Sequence, residues 1–277
     1  MLGKAPLERV TLALMISNGM EAFDWGSRAM PMSRPVEAYS SIAAYLAGIF
    51  VLKQALPRPV GIQSWIAALH NLVLCLGSLV MFLGTAYESL QTSRQSGSAM
   101  WMFCLPKGTP IKGRLFFWTY LYYLSKFYEF IDTVLLILKG KKLTFLHVFH
   151  HAWVVLMAFW WLEAAQSLQQ IALLTNTAIH VLMYYYYFMC SIKRPPRWKK
   201  LVTQSQIVQF VFSFAISIPF WFIHATQHGR CSGLEALVLN AVFNLCLLAL
   251  FVNFHRSSYE QKPGSREHET GNHAKAK

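Results

Sequence analysis

The chain has 277 residues, of which 55% are apolar, 15% aromatic and only 13% charged, about half the charge of an ordinary globular protein. Lys and Arg outnumber Asp and Glu by 25 to 12, for a net charge of +13. A soluble enzyme, a disordered tail and a disulfide-rich secreted module are excluded, and no basic stripe interleaved with aromatics outside the loops points to a nucleic-acid partner; an anionic lipid surface or a phosphorylated small substrate suits the charge better.

Residues 1–35 lack a cleavable signal, because Glu21, Asp24 and Arg28 follow a weakly apolar stretch. Seven apolar runs follow, at 36–56, 62–87, 115–138, 144–163, 168–190, 201–224 and 234–254, each close to the 20 or so residues that cross a bilayer as a helix. The sequence therefore divides into an N-terminal segment (1–35), a seven-helix membrane domain (36–254) and a polar tail (255–277) expected to be disordered. Lys and Arg crowd the loops at 139–142 and 193–200 and the tail, whereas the alternate loops hold fewer. The positive-inside rule then puts the C-terminus in the cytosol and the N-terminus in the lumen.

Polar residues inside the spans carry the functional signal. In the second span, His70 beside Asn71 reads as an interhelical hydrogen bond. In the third, Lys126, Glu129, Asp132 and Thr133 fall at i, i+3, i+6 and i+7, one helical stripe. A charge at membrane depth is a functional-site hypothesis by default; the competing reading is a structural Lys126–Glu129 ion pair that locks two helices. The fourth span opens with His147, His150 and His151, an H-x-x-H-H cluster on one face, and three imidazoles in an apolar helix are hard to explain by packing. The fifth aligns Asn176, His180, Tyr184 and Tyr187. An interfacial tyrosine belt would explain the last two residues but not the first two. The sixth begins Thr203, Gln206, Gln209, where helix–helix glue and substrate contact are equally open. At about 1.5 Å per residue, Lys126, Asp132, His147, His151, His180, Tyr184, Gln206 and Gln209 are expected in the cytosolic half of their spans. The expected fold is thus all-α, a polytopic membrane protein whose seven transmembrane helices enclose a buried chamber open to the cytosol, its mouth ringed by the lysine-rich loops.

Four stretches, K-F-Y-E-F-I-D-T at 126–133, H-V-F-H-H at 147–151, N-T-A-I-H-V-L-M-Y-Y-Y-Y at 176–187 and T-Q-S-Q-I-V-Q at 203–209, resemble in order and spacing the signature blocks of the very-long-chain fatty acid elongases. The resemblance implies a multi-pass 3-oxoacyl-CoA synthase of the endoplasmic reticulum membrane. Such an enzyme joins a long-chain acyl-CoA to malonyl-CoA, with loss of carbon dioxide, to give a 3-oxoacyl-CoA two carbons longer. It implies no cofactor beyond the two substrates, and it names as partners the bilayer and the reductases and dehydratase of the elongation cycle.

The chemistry can be argued beside the resemblance. None of the blocks contains a cysteine, and a neutral imidazole is nucleophilic at pH 7, so histidine can carry the acyl group. We expect His150 to accept the acyl group, with His147 and His151 orienting it and shuttling protons. Asp132 or Glu129 would hold a ring tautomer, and His180 with Asn176 would stabilise the malonyl-derived enolate. Lys126, Glu129, Asp132, Asn176, Tyr184, Tyr187, Gln206 and Gln209 are the expected substrate-binding side chains, and Lys199 and Lys200 would meet the CoA phosphates. Chain length would depend on the bulky residue that closes the tunnel, with Trp160, Trp161, Phe214 and Trp221 as candidates.

Two rivals belong to other classes. H-x-x-H-H also resembles a box of the metal-dependent membrane desaturases and hydroxylases; four histidines could hold a zinc, but a Lys and two carboxylates alongside favour acid–base work. A seven-helix non-enzymatic receptor of the retinal-binding kind needs a lysine in its last span, whereas Lys126 is in the third. Finally, Cys104 and Cys231 fall in loops assigned to the oxidising lumen and are expected to pair, the alternative being two free thiols that never meet.

Overall fold

A computed structural model describes residues 18–56 and 58–259, and among them there is no strand, only isolated bridges at Asp24–Lys112 and Pro106–Cys231. The helices are α1 (Pro35–Ala55), α2 (Ser64–Ser96), α3 (Gly113–Tyr128), α4 (Phe130–Leu138), α5 (Phe145–Glu163), α6 (Gln169–Ser191), α7 (Lys199–Thr226) and α8 (Leu234–Tyr259). Five of them, α1, α2, α5, α7 and α8, are long and apolar enough to cross a membrane, which makes this a multi-pass membrane protein. Contacts between neighbours close a ring in the order α2, α6, α7, α8, α5, α3, and α1 packs outside it against α4 and α5.

Local chemistry explains where the helices start and stop. Pro35 occupies the first turn of α1, where its missing N–H costs nothing, and the Glu37 carboxylate accepts the Arg34 backbone N–H at 3.0 Å. Helix α2 runs past Tyr87, the expected end of the second span, because nothing breaks it before Gly97 at φ 69°. The third span divides at Glu129, where the Asp132 N–H bonds the Glu129 carbonyl at 3.0 Å, a tighter turn than the α-helical one. Helix α8 continues through His255 to Tyr259, residues expected in a disordered tail, since no Gly or Pro intervenes before Pro263. The rest of the expected tail, 260–277, and residues 1–17 lie outside the described residues.

One end of the bundle is closed by residues 20–33. Phe23 and Trp25, the latter 2% exposed, insert among Tyr120, Tyr123, Phe159 and Leu162. The Trp25 indole N–H donates to Glu163 at 3.1 Å, and Arg28 grips the same carboxylate through two bonds of 2.8 and 2.5 Å. Tyr120 and Tyr123 donate to the Pro31 and Met32 carbonyls, each at 3.0 Å.

The same end carries a Cys104–Cys231 disulfide, with a Cα–Cα distance of 4.9 Å. It ties the loop after α2 to the one before α8. Next to it, Ser167 accepts the Leu105 N–H at 3.0 Å and donates to the Ser232 carbonyl at 2.9 Å. Gly233, at φ 77°, lets this loop lie against the α5–α6 turn, where a Cβ would stand 2.4 Å from Gln166 Cα.

Candidate active site

Thr144 begins the site. Its hydroxyl accepts the His147 backbone N–H at 3.2 Å, which fixes the start of α5 so that the three histidines occupy its first two turns. The ring centroids of His147 and His151 are 4.4 Å apart, and those of His150 and His151 5.2 Å. All three line a cavity of about 500 Å³, joined by Glu129, Asp132, Asn176, His180, Tyr184, Tyr187, Gln206, Gln209 and Lys199. This is most of the expected set, contributed by α4 to α7 and the turn at Glu129. Helix α2 adds Asn71, and α8 adds Phe251 and Phe254. By about 1.5 Å per residue, His147 lies some 24 Å along α5 from Glu163, so the cavity and the Trp25 plug occupy opposite ends of the bundle.

Three hydrogen-bond networks stand behind the cavity wall. The Lys126 ammonium donates to Glu129 at 2.6 Å and lies 4.1 Å over the Tyr122 ring; the same carboxylate oxygen is 3.4 Å from His180 Nδ1. Asp132 is held on both oxygens, by His70 Nε2 at 2.8 Å and by the Tyr184 hydroxyl at 2.8 Å. Thr133 bridges His147 Nε2 at 2.8 Å and the Tyr45 hydroxyl at 2.9 Å. In addition, Tyr122 donates to the Asn176 side-chain carbonyl at 2.8 Å, which leaves the Asn176 amide N–H groups for the cavity.

His150 differs from its neighbours. Like His151, it has no side-chain hydrogen bond among the described residues, but it is less buried than His151; its ring lies against Phe243, 6.4 Å between centroids, and edge-on to His151.

Several expectations need correction. Lys126 does not line the cavity. It is 1% exposed and fully engaged by Glu129 and Tyr122, so the ion-pair reading describes its geometry, within one chain segment and not across two distant helices. Neither carboxylate touches His147, His150 or His151: Asp132 holds His70, Glu129 faces His180, and the ring orientation of His147 is set by a hydroxyl. Of the basic loop residues, Lys139 and Lys199 line the cavity, whereas Lys141, Lys142 and Lys200 do not. Trp160, Trp161, Phe214 and Trp221 stand elsewhere; Trp161 stacks on Tyr122 at 5.5 Å. Gln206 bonds the Met183 sulfur across α6 and α7 at 3.3 Å, a helix-tying contact made from the cavity wall. Cys190 also lines the cavity, about 15 Å along α6 from His180. Among the described residues, no group of three or more His, Cys, Asp and Glu side chains is arranged to hold a metal ion.

Residues 30–267 match the model of the ELO: GNS1/SUR4 family. The chain belongs to this family. It is 33% identical over 264 residues to fatty acid elongase sre1 of Dictyostelium discoideum, a match covering 92% of this chain and 97% of that one. It is also 33% identical to fatty acid elongase A of the same organism, over 88% of this chain and 90% of that one. Very long chain fatty acid elongase 2 of Rattus norvegicus is 36% identical over 53% of each chain. The family suggested by the four sequence blocks is the one found.

In this ELO-family chain the blocks supply most of the polar side chains of the cavity wall. Outside them, Tyr45 and Tyr122 escaped the sequence reading. His70 was read as an interhelical hydrogen bond, which it is, but its partner is the cavity residue Asp132. Tyr45 gave no signal, because nothing in the sequence distinguishes it from Tyr39, the other tyrosine of its apolar span.

Proposed function

We propose that this protein elongates fatty acids as the condensing enzyme, joining a long-chain acyl-CoA to malonyl-CoA with release of carbon dioxide and forming a 3-oxoacyl-CoA through an acyl-histidine intermediate. The observation that carries the reading is a cavity bearing four histidines, two of which, His150 and His151, have rings that no protein hydrogen bond engages, His150 being the less buried of the two. A nucleophile needs a free lone pair, and His150 has one to offer.

The proposed steps use the cavity's histidines in turn. A His150 ring nitrogen attacks the thioester carbonyl carbon, and the C–S bond breaks. The CoA thiolate leaves with the proton that the imidazole loses. Malonyl-CoA, entering next, gives up carbon dioxide; the resulting enolate carbon attacks the acyl-imidazole, the C–N bond breaks, and the leaving imidazole nitrogen takes a proton from solvent, which regenerates His150. His180, steadied by Glu129, and the Asn176 amide N–H groups are the donors suited to the enolate oxygen. Lys139 and Lys199 at the cavity suit the CoA phosphates. Cys190 is a poor alternative nucleophile, standing about 15 Å along α6 from His180.

Orientation belongs to the same proposal. The N-terminus is lumenal and the C-terminus cytosolic in the endoplasmic reticulum membrane, with seven spans in all if α3 and α4 together make one and α6, whose cavity-facing side is polar, makes another. A lumenal disulfide and a cytosolic cavity bounded by lysines suit this arrangement. The test is a panel of acyl-CoAs offered to the purified protein with carboxyl-labelled malonyl-CoA. Acyl-CoA-dependent release of labelled carbon dioxide with formation of 3-oxoacyl-CoA is expected. Its absence for every chain length sinks the proposal.

A further inference from the structure

We infer that Tyr45 on α1 and Thr133 on α4 fix His147 as the tautomer protonated on Nδ1, so that His147 serves the reaction as a hydrogen-bond donor and not as a base; the role, though not the tautomer, rests on the function proposed above. Helix α1 lies outside the ring that surrounds the cavity, and nothing in its sequence marks it as part of the site. Yet the Tyr45 hydroxyl is 2.9 Å from Thr133 Oγ1, which is 2.8 Å from His147 Nε2. Tyr45 is 8% exposed, and its ring is stacked on Phe130 with centroids 4.1 Å apart, so the hydroxyl is held in place.

Proton counting decides the direction of this relay. Thr133 has one hydroxyl proton and two neighbours. In one arrangement Tyr45 donates to Thr133 and Thr133 donates to His147 Nε2, and every proton has an acceptor. In the reverse, His147 donates to Thr133 and Thr133 donates to Tyr45. The Tyr45 proton then has no acceptor, because its hydroxyl has no second partner among the described residues. A buried O–H donor left unpaired carries its full desolvation penalty, so the first arrangement wins. An imidazole that accepts at Nε2 and is neutral carries its proton at Nδ1.

That nitrogen has no protein partner among the described residues, and His147 lines the cavity. Its N–H suits the thioester carbonyl oxygen. When the His150 nitrogen attacks, the carbonyl π-electrons move onto that oxygen, and the Nδ1–H bond to it strengthens without transferring a proton. The oxygen re-forms its carbonyl as the CoA thiolate leaves with the proton of His150. His147 is then an oxyanion donor, and Tyr45 and Thr133 are positioning residues that act through it.

The experiment pairs a tautomer readout with kinetics. Solid-state NMR of the full chain, ¹⁵N-labelled at histidine and assigned by difference with His147→Gln, should show His147 protonated at Nδ1. Thr133→Val should move the population toward Nε2–H, and Thr133→Ser should restore it. Turnover should fall about tenfold or more in Thr133→Val, with the KM for acyl-CoA within about twofold, and Thr133→Ser should recover most of it. Asparagine places an N–H near the position of Nδ1 but cannot act as a base, so His147→Asn should turn over roughly tenfold faster than His147→Ala. Wild-type His147 protonated at Nε2, or an asparagine variant no faster than the alanine one, overturns the inference. The NMR readout needs no substrate, so a protein that fails to condense malonyl-CoA would defeat the proposed function and leave the tautomer assignment standing.

Discussion

Glu129→Gln removes the carboxylate from an ammonium that is only 1% exposed. Lys126 Nζ sits 2.6 Å from Glu129 Oε1 with the Tyr122 ring 4.1 Å away, so no water can replace the lost charge without opening the bundle. Truncating one partner of a buried ion pair costs about 3–5 kcal/mol, because the other charge stays desolvated. At about 2–4 °C per kcal/mol for a chain of this size, the melting temperature should drop by roughly 6–20 °C. Replacing both partners, as in Lys126→Met with Glu129→Leu, removes the uncompensated charge and should return stability to within about 1–2 kcal/mol of wild type. Activity should stay lost in that double variant, since His180 Nδ1 also faces Glu129 at 3.4 Å. The assay is a double-mutant cycle of detergent-solubilised protein followed by thermal unfolding, with condensation measured on the same samples. Single variants that each cost less than about 1 kcal/mol and add without coupling would refute the reasoning.

Four further outcomes follow. Cys104→Ser with Cys231→Ser frees a loop spanning 127 residues and should cost about 3–5 kcal/mol, read as a lower melting temperature; an unchanged melt would mean that the bridge does not constrain the unfolded chain. Gly84→Ala would put a Cβ 2.1 Å from the Trp118 ring and should cost about 1–3 kcal/mol, with Trp118→Leu relieving the clash in the double variant. Neutralising Lys139 and Lys199 should raise the KM for both CoA substrates more than it lowers kcat, whereas Lys141→Gln and Lys142→Gln, whose side chains stand off the cavity, should do little. Cys190→Ala should retain condensation and His150→Ala should lose it; the reverse result would make the thiol the nucleophile.

Hydrophobic run length located the helices within about two residues, apart from the C-terminal ends of α2 and α8 and the division at Glu129, because about 20 apolar residues in a row have one use. Polar residues at helical spacing located most of the cavity for a similar reason. Three histidines on one face of an apolar helix need a shared polar space, and Asn176 and His180, two turns and one turn before a tyrosine cluster, repeat the demand. What stayed hidden was pairing. Spacing put Lys126, Glu129 and Asp132 on one stripe but could not say that Lys126 turns away onto Tyr122 while Asp132 reaches a second helix at His70. Nor could it show that Trp25, in a segment without a strong apolar pattern, seals the far end of the bundle against Glu163. Tyr45 is the clearest case, since its significance depends on a hydroxyl from α4 that no one-dimensional pattern places beside it.

The central claim is that a histidine carries the acyl group, and single-turnover chemistry tests it most directly. Purified protein incubated with acyl-CoA alone, without malonyl-CoA, should release CoA in an amount that approaches the enzyme concentration. Intact-mass and peptide analysis should place an acyl adduct on His150, absent from His150→Ala. Release of CoA only when malonyl-CoA is also present, with no adduct trapped at any time, would contradict the account and establish direct transfer between the two bound thioesters.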